Sequence, residues 1–216
     1  MNISPHTIDN VLSDEQIEKI YSLLNNATDA QLYISEVWGQ KSWTLEIPQD
    51  IIDGVSDIIK NIYGDSWYLE IPRVARYDNT INCKPYLDPH IDNFLDHRIT
   101  LDIQLKSNID WPIIIDGQSF SLKNNSAIIF SGTNNIHWRP EKDFKDGDFV
   151  DLLFCHFRNS EKKYEISNEE NRQRLINLFN NRIKYGYPAD PVEDENFEKS
   201  LKLFESQQSN NADRMV

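Results

Sequence analysis

Histidine is scarce in this chain, with five in 216 residues, yet two of them stand where they can act together. His90 and Asp92 are separated by one residue. On an extended strand such a pair projects to one side, because side chains alternate with period two. His137 follows in a separate stretch, Asn135-Ile136-His137-Trp138-Arg139. Two imidazoles and one carboxylate gathered on one face of an ion leave coordination positions open, a donor set that suits Fe(II). Taken alone, a His-x-Asp pair is a weak signal and reads more readily as a hydrogen-bonded or surface histidine. The surrounding elements decide between the two.

Those elements are mostly strands. Residues 67–157 read as about seven or eight short strands at close spacing, which implies a small barrel or sandwich. The clearest is 98–105, a strict alternation with Thr100, Asp102 and Gln104 on one face and Leu101, Ile103 and Leu105 on the other. Asp116-Gly117 is a hairpin-turn signal, and 127–130 is an apolar run closed by Gly132. Pro89 suits the start or edge of a strand. His90 and His137 both fall at turn-to-strand boundaries, and a barrel brings such distant segments together.

Helices flank this block. Residues 1–12 read as a leading strand or coil. Ser13-Asp14-Glu15-Gln16 is then a capping box, with Ile17, Ile20, Tyr21 and Leu24 following at helical spacing. A second helix starts near Pro48, carries Ile51, Ile52, Val55, Ile58 and Ile59 as its apolar stripe and stops near Gly64. Ser167 opens a third, and 188–216 read as a linker, a short helix and a disordered tail. The expected organisation is one domain over 1–187, with its β core at about 67–158.

Composition narrows the class of function. Thirty-five acidic residues against 22 basic ones give a net charge of −13. Such a surface repels phosphate backbones and anionic lipid, so neither nucleic acid nor a membrane is expected as a partner. Cys83 and Cys155 form no C-x-x-C pair, which argues for free thiols over a disulfide or zinc framework. The Met1 end carries no basic-then-apolar signal, and no apolar run approaches the roughly 18 residues of a membrane span. A cytoplasmic location is the expectation.

The order of motifs over 73–157 resembles the catalytic core of Fe(II)/2-oxoglutarate-dependent dioxygenases, particularly the prolyl-hydroxylase-like branch. That branch often runs as a strand-ending Arg-Tyr, an aromatic, His-x-Asp, an Arg and an apolar strand. Here these are Arg76-Tyr77, Tyr86, His90-Ile91-Asp92, Arg98 and 99–105. Its later half, an apolar pair, Phe, Ser-Gly and then His, is matched by Ile128-Ile129-Phe130-Ser131-Gly132 and His137. The resemblance implies a mainly β, α+β fold: a double-stranded β-helix of the jelly-roll or cupin-like kind, with flanking N- and C-terminal helices. It also implies Fe(II) bound by His90, Asp92 and His137, and 2-oxoglutarate in a pocket lined by Tyr77 and Tyr86. O2 would be the oxidant, with ascorbate as a candidate auxiliary, and a peptidyl or small-molecule substrate would be oxidised with release of succinate and CO2. Related halogenases replace the carboxylate with a small residue, so Asp92 favours hydroxylation or a similar oxidation.

Two departures matter. In place of a Gly-Gly-x-x-x-Phe-like element the chain has Asn108-Ile109-Asp110-Trp111-Pro112. The family also commonly places a base at the start of the last strand to hold the far carboxylate of 2-oxoglutarate, and here that window reads Asp146-Gly147-Asp148-Phe149-Val150-Asp151. Arg139 is the best substitute, because two residues after His137 it shares that side of a continuing strand. Its planar guanidinium can fork onto a carboxylate. Arg98 and Lys145 are the other bases to weigh, and Gln104, if inward, adds a polar contact. His156 is expected as a satisfied core or rim histidine, and Trp111 and Trp138 as wall packing. Two rival readings are a non-oxidative metal-binding cupin-like protein and an inactive β-helix interaction module.

Overall fold

The computed structural model describes residues 3–163 apart from 37, 82 and 93–95, together with 173 and 176. The expected C-terminal helix, apart from those two positions, and the linker and tail lie outside the described residues. Two antiparallel sheets face each other as a double-stranded β-helix. In spatial order the larger sheet holds β1 (His6–Asp9), β10 (Ser126–Phe130), β7 (Asp96–Ser107), β12 (Phe149–Lys163), β5 (Arg73–Asp78), β3 (Gln40–Trp43) and β2 (Leu32–Ser35). A further strand, β4 (Trp67–Leu69), pairs with the far part of β12. The smaller sheet runs β6 (Leu87–His90), β11 (His137–Arg139), β8 (Ile113–Ile115) and β9 (Gln118–Phe120).

Two helices cover the outer face of the large sheet. Helix α1 (Asp14–Asn25) starts in the expected capping box, with the Ser13 side chain bonded to the Gln16 backbone and the Gln16 side chain to that of Ser13. Helix α2 (Gln49–Tyr63) ends at Gly64, whose φ of 94° a residue with a Cβ rarely adopts. Ile20, Ile51, Val55 and Ile59 pack with Leu101, Ile103 and Leu105 of β7 in one core. The opposite face of β7 turns Thr100 and Asp102 into the cavity between the sheets. The alternation of β7 thus divides the molecule into an apolar back and a polar interior.

The β2–β3 hairpin lies outside every strand expected from the sequence, and nine strands occupy 67–163. In β2 and β3, Tyr33 and Ile34 are exposed while Ser35, Gln40 and Ser42 are buried, so hydrophobic patterning gave no strand signal there. No helix among the described residues is long and apolar enough to cross a membrane.

Candidate metal centre and its pocket

Strand β6 ends in His90 and β11 begins with His137, and the two residues are directly paired in register. This register sets the two rings side by side, their centroids 4.2 Å apart. Asp92 follows β6, its backbone N–H donating to the Gly132 carbonyl at 2.8 Å. Its Oδ1 lies 3.3 Å from His137 Nε2 and 3.9 Å from His90 Nε2. One ligand atom from each of the three residues falls within 4.8 Å of the others. His90 Nδ1 sits 2.6 Å from the Asp88 carbonyl and His137 Nδ1 3.1 Å from that of Asn135. A carbonyl accepts only from N–H, so in the neutral rings Nε2 carries the lone pair and faces Asp92. Two oriented imidazoles and a carboxylate fit Fe(II).

The other oxygen of Asp92 is held from behind. Oδ2 accepts from the Thr100 hydroxyl and lies 3.5 Å from His156 Nδ1. Gly132 is required here by space: a Cβ would fall on Asp92 Oδ2 and lie 2.6 Å from Thr100 Oγ1. The loop before His137 is tied to the β8–β9 turn. Asp116 accepts from Asn135 Nδ2 at 2.6 Å and from the Ile136 backbone at 2.9 Å. Asp116 and Gly117 have φ of 49° and 84°, as a tight hairpin turn demands.

Electrostatics prepare the donors unequally. Burial opposes the charge of Asp92, but His137 and His156 outweigh it and hold the carboxyl well below its usual range. Burial, with His137 alongside, pushes the His90 imidazole down to about 4. For His137 burial again opposes the charge, yet the Asp92 carboxylate prevails and raises the ring above its ordinary value.

A cavity of about 160 Å³ adjoins the three donors, lined in part by Trp38, Gln40, Tyr77, Thr100 and Asp102. Behind Asp102 lies Arg139, 1% exposed. Its Nη2 is 3.3 Å from Asp102 Oδ2, and Nη1 donates to the Trp111 carbonyl at 2.6 Å. Its guanidinium stands 5.1 Å over the Trp111 ring, and Trp111 packs edge-on to Tyr77 at 4.8 Å. The Tyr77 hydroxyl accepts from the Gln40 amide. Asp102 Oδ1 is buried with no hydrogen-bond partner among the described residues. Burial pushes this carboxyl up, although Arg139 pulls the other way. At the start of β12, Val150 and Leu152 pack with Tyr77 and Trp111 as apolar wall.

The structure brings His90, Asp92, His137, Tyr77 and Arg139 together in this region and leaves other candidates apart. Tyr86 does not line the cavity; its backbone N–H donates to the Trp38 carbonyl at 3.3 Å. Arg98 sits in an adjoining hollow, 3.0 Å from Glu70. The Gln104 amide donates to the Leu122 carbonyl at 2.9 Å. Lys145 is exposed. Sequence reasoning missed His156 and Thr100 as supports of Asp92. The available signal was period two, which puts His156 on the face of Phe154 and Thr100 on that of Asp102. Trp38, Gln40 and Ser42, from the unforeseen hairpin, also line the cavity.

No family model and no curated protein matches this sequence. Solved structures do match in fold. A viral collagen prolyl hydroxylase from Paramecium bursaria Chlorella virus-1, solved with 2-oxoglutarate, is 16% identical, with a TM-score of 0.52 over 72% of this chain and 95% of that one. A prolyl-4-hydroxylase from Pseudomonas putida is 13% identical, with a TM-score of 0.55 over 72% and 92%. HygX from Streptomyces hygroscopicus, solved with nickel, 2-oxoglutarate and hygromycin B, is 8% identical, with a TM-score of 0.57 over 72% and 83%. The chain therefore has the double-stranded β-helix fold of the 2-oxoglutarate–Fe(II) oxygenases, prolyl hydroxylases among them.

Proposed function

We propose that this protein is an Fe(II)- and 2-oxoglutarate-dependent oxygenase that oxidises a C–H bond of a small-molecule or peptidyl substrate. A fold alone hosts many chemistries. The observation that carries this reading is the convergence of His90 Nε2, Asp92 Oδ1 and His137 Nε2 at the edge of a cavity with a buried base behind it. His90, Asp92 and His137 would hold the metal. When bound, Fe(II) and 2-oxoglutarate supply O2 activation, with succinate and CO2 as by-products of substrate oxidation.

The chain's own residues do the positioning. Thr100 and His156 engage Asp92 Oδ2, which keeps Oδ1 turned toward the imidazoles. Arg139 and the Tyr77 hydroxyl are the groups for the distal carboxylate of the 2-oxo acid. Asp102 holds the Arg139 guanidinium in the ligand-free protein and competes for it with the incoming carboxylate. Leu87, Ile113, Phe130 and Phe154 supply apolar lining that helps to exclude water.

Anaerobic titration of the metal-free protein with Fe(II) and then 2-oxoglutarate tests this reading through the weak visible charge-transfer band of the chelate. The band is expected in the wild type and absent in His137→Ala. In Arg139→Met it should require about tenfold or more 2-oxoglutarate. Iron binding by the wild type without the band would overturn the co-substrate assignment.

A further inference from the structure

The inward faces of β7 and β12 carry a second row of chemistry beyond the metal donors. Along β7 the row runs Asp102, Thr100, Arg98, and along β12 it runs Phe154, His156, Arg158, each step two residues. Arg98 and Arg158 are directly opposite each other in the antiparallel register, a like-charge placement that destabilises a sheet unless an anion relieves it. Glu70 serves both, 3.0 Å from Arg98 Nη2 and 3.4 Å from Arg158 Nη1. Arg73, opposite Phe154 on β5, joins the same face.

These residues surround a hollow lined by Glu70, Ile71, Arg73, Arg98 and His156, and it shares Arg73 and His156 with the metal-side cavity. The lining holds two arginines against one carboxylate, and that carboxylate is also engaged by Arg158. Arg98 Nε is buried with no hydrogen-bond partner among the described residues. Arg73 is exposed, and its side chain has no hydrogen bond or ion pair among the described residues. Ile71, 68% exposed, adds an apolar contact beside them. In a chain of net charge −13 this is a cationic mouth on an acidic body.

We propose that this mouth is an oxyanion-binding site, and that the substrate carries a carboxylate or phosphate group which docks on Arg73 and Arg98 while the rest of the molecule reaches past His156 toward the metal. The second half rests on the oxygenase reading; the first does not. Arginine suits the task, since its planar donors match both oxyanions. The acidic body repels anions in general, so the mouth sets where a charged substrate enters and which end leads.

Calorimetry on the metal-free protein with 3-phenylpropionate, phenyl phosphate and the neutral 3-phenylpropionamide tests the site. At least one anion is expected to bind about tenfold or more tightly than the amide, and to lose about tenfold or more in Arg73→Glu. Arg73 is exposed, so this variant should fold; Arg98→Gln, which leaves Glu70 to Arg158, should weaken the same anion. Whichever anion binds more tightly identifies the group. Equal binding of amide and anions, or unchanged anion binding in Arg73→Glu, would overturn the proposal. A parallel Mn(II) titration followed by electron paramagnetic resonance separates the two claims. Loss of Mn(II) binding with an intact anion site would sink the oxygenase reading and leave the oxyanion site standing. With Mn(II) bound, the bound anion's protons should show enhanced relaxation, and their absence would sink the substrate orientation.

Discussion

Arg139 and Asp102 form a buried ion pair, 3.3 Å apart, that joins β11 of the small sheet to β7 of the large one. On the proposed reading, the base that would meet a dicarboxylate is therefore already engaged by a carboxylate of the chain, so co-substrate binding and stability of the ligand-free protein would oppose each other through this pair.

Asp102→Asn makes that opposition measurable. The substitution leaves a buried guanidinium without its counter-charge and should cost about 3 kcal/mol of stability in the ligand-free protein. It also removes the negative charge that competes with 2-oxoglutarate, so the co-substrate should bind more tightly and raise the melting temperature by more than it does in the wild type. Thermal melts with and without 2-oxoglutarate give both quantities. Weaker binding by the variant would show that the carboxyl itself is needed as a donor.

Gly132→Ala tests the packing behind Asp92. The new methyl meets Asp92 Oδ2 and Thr100 Oγ1, both side-chain ends, so Asp92 should move and the backbone should stay. Metal affinity is expected to fall by about tenfold or more, while overpacking costs only about 1–3 kcal/mol. Mn(II) titration beside chemical denaturation separates the two effects. Full metal affinity in a folded variant would show that Gly132 does not constrain the carboxylate.

Metal affinity should depend on pH through His137. Below its raised pKa the metal-free protein holds a proton there that the metal must displace, while Asp92 stays charged and His90, pushed down to about 4, stays neutral. Affinity is therefore lost as pH falls below the His137 pKa, by about tenfold per unit, with one proton released per metal bound. Calorimetry in two buffers of different ionisation enthalpy counts that proton. A pH-independent affinity from about pH 5 to 8 would contradict the assignment.

A second buried carboxylate, Asp151, anchors α1 to the sheet. It is fully buried and accepts from Arg76 Nε at 2.7 Å, from Arg76 Nη2 at 2.8 Å and from the Tyr21 hydroxyl at 2.9 Å. Arg76→Ala strands the charge and should cost about 3–5 kcal/mol. Tyr21→Phe removes one of three bonds and should cost about 1 kcal/mol. Urea denaturation measures both. Equal effects would mean that the guanidinium is not the main counter-charge.

The metal-side trio was legible because each part has a local signature. His-x-Asp keeps two side chains close in sequence, although Asp92 lies just past the end of β6 and is held there by Gly132 and not by strand alternation. The segment 128–132 that leads to His137 resembles the family's own. Which face of β7 points inward was open in the sequence, because Thr100 and Asp102 are as compatible with solvent as with a polar cavity. The helices covering Leu101 and Ile103 decide it. His156 and the β2–β3 hairpin were not legible for a different reason. Their roles come from cross-strand register, Gln40 against Tyr77 and His156 against Thr100; period two gives the face that each side chain shares within its own strand, but not which distant strand it meets.

Strand β1 pairs with β10, His6 standing opposite Ile129. During synthesis β1 must therefore wait for most of the β core to follow. At about 5–20 residues per second the delay is on the order of ten seconds. Helices α1 and α2 emerge within that interval, with Ile20, Ile51, Val55 and Ile59 exposed until β7 arrives to cover them. The nascent chain thus carries an uncovered apolar helix face over a window set by elongation speed. Slowing translation between α2 and β10 should lower the yield of folded protein without changing a single residue.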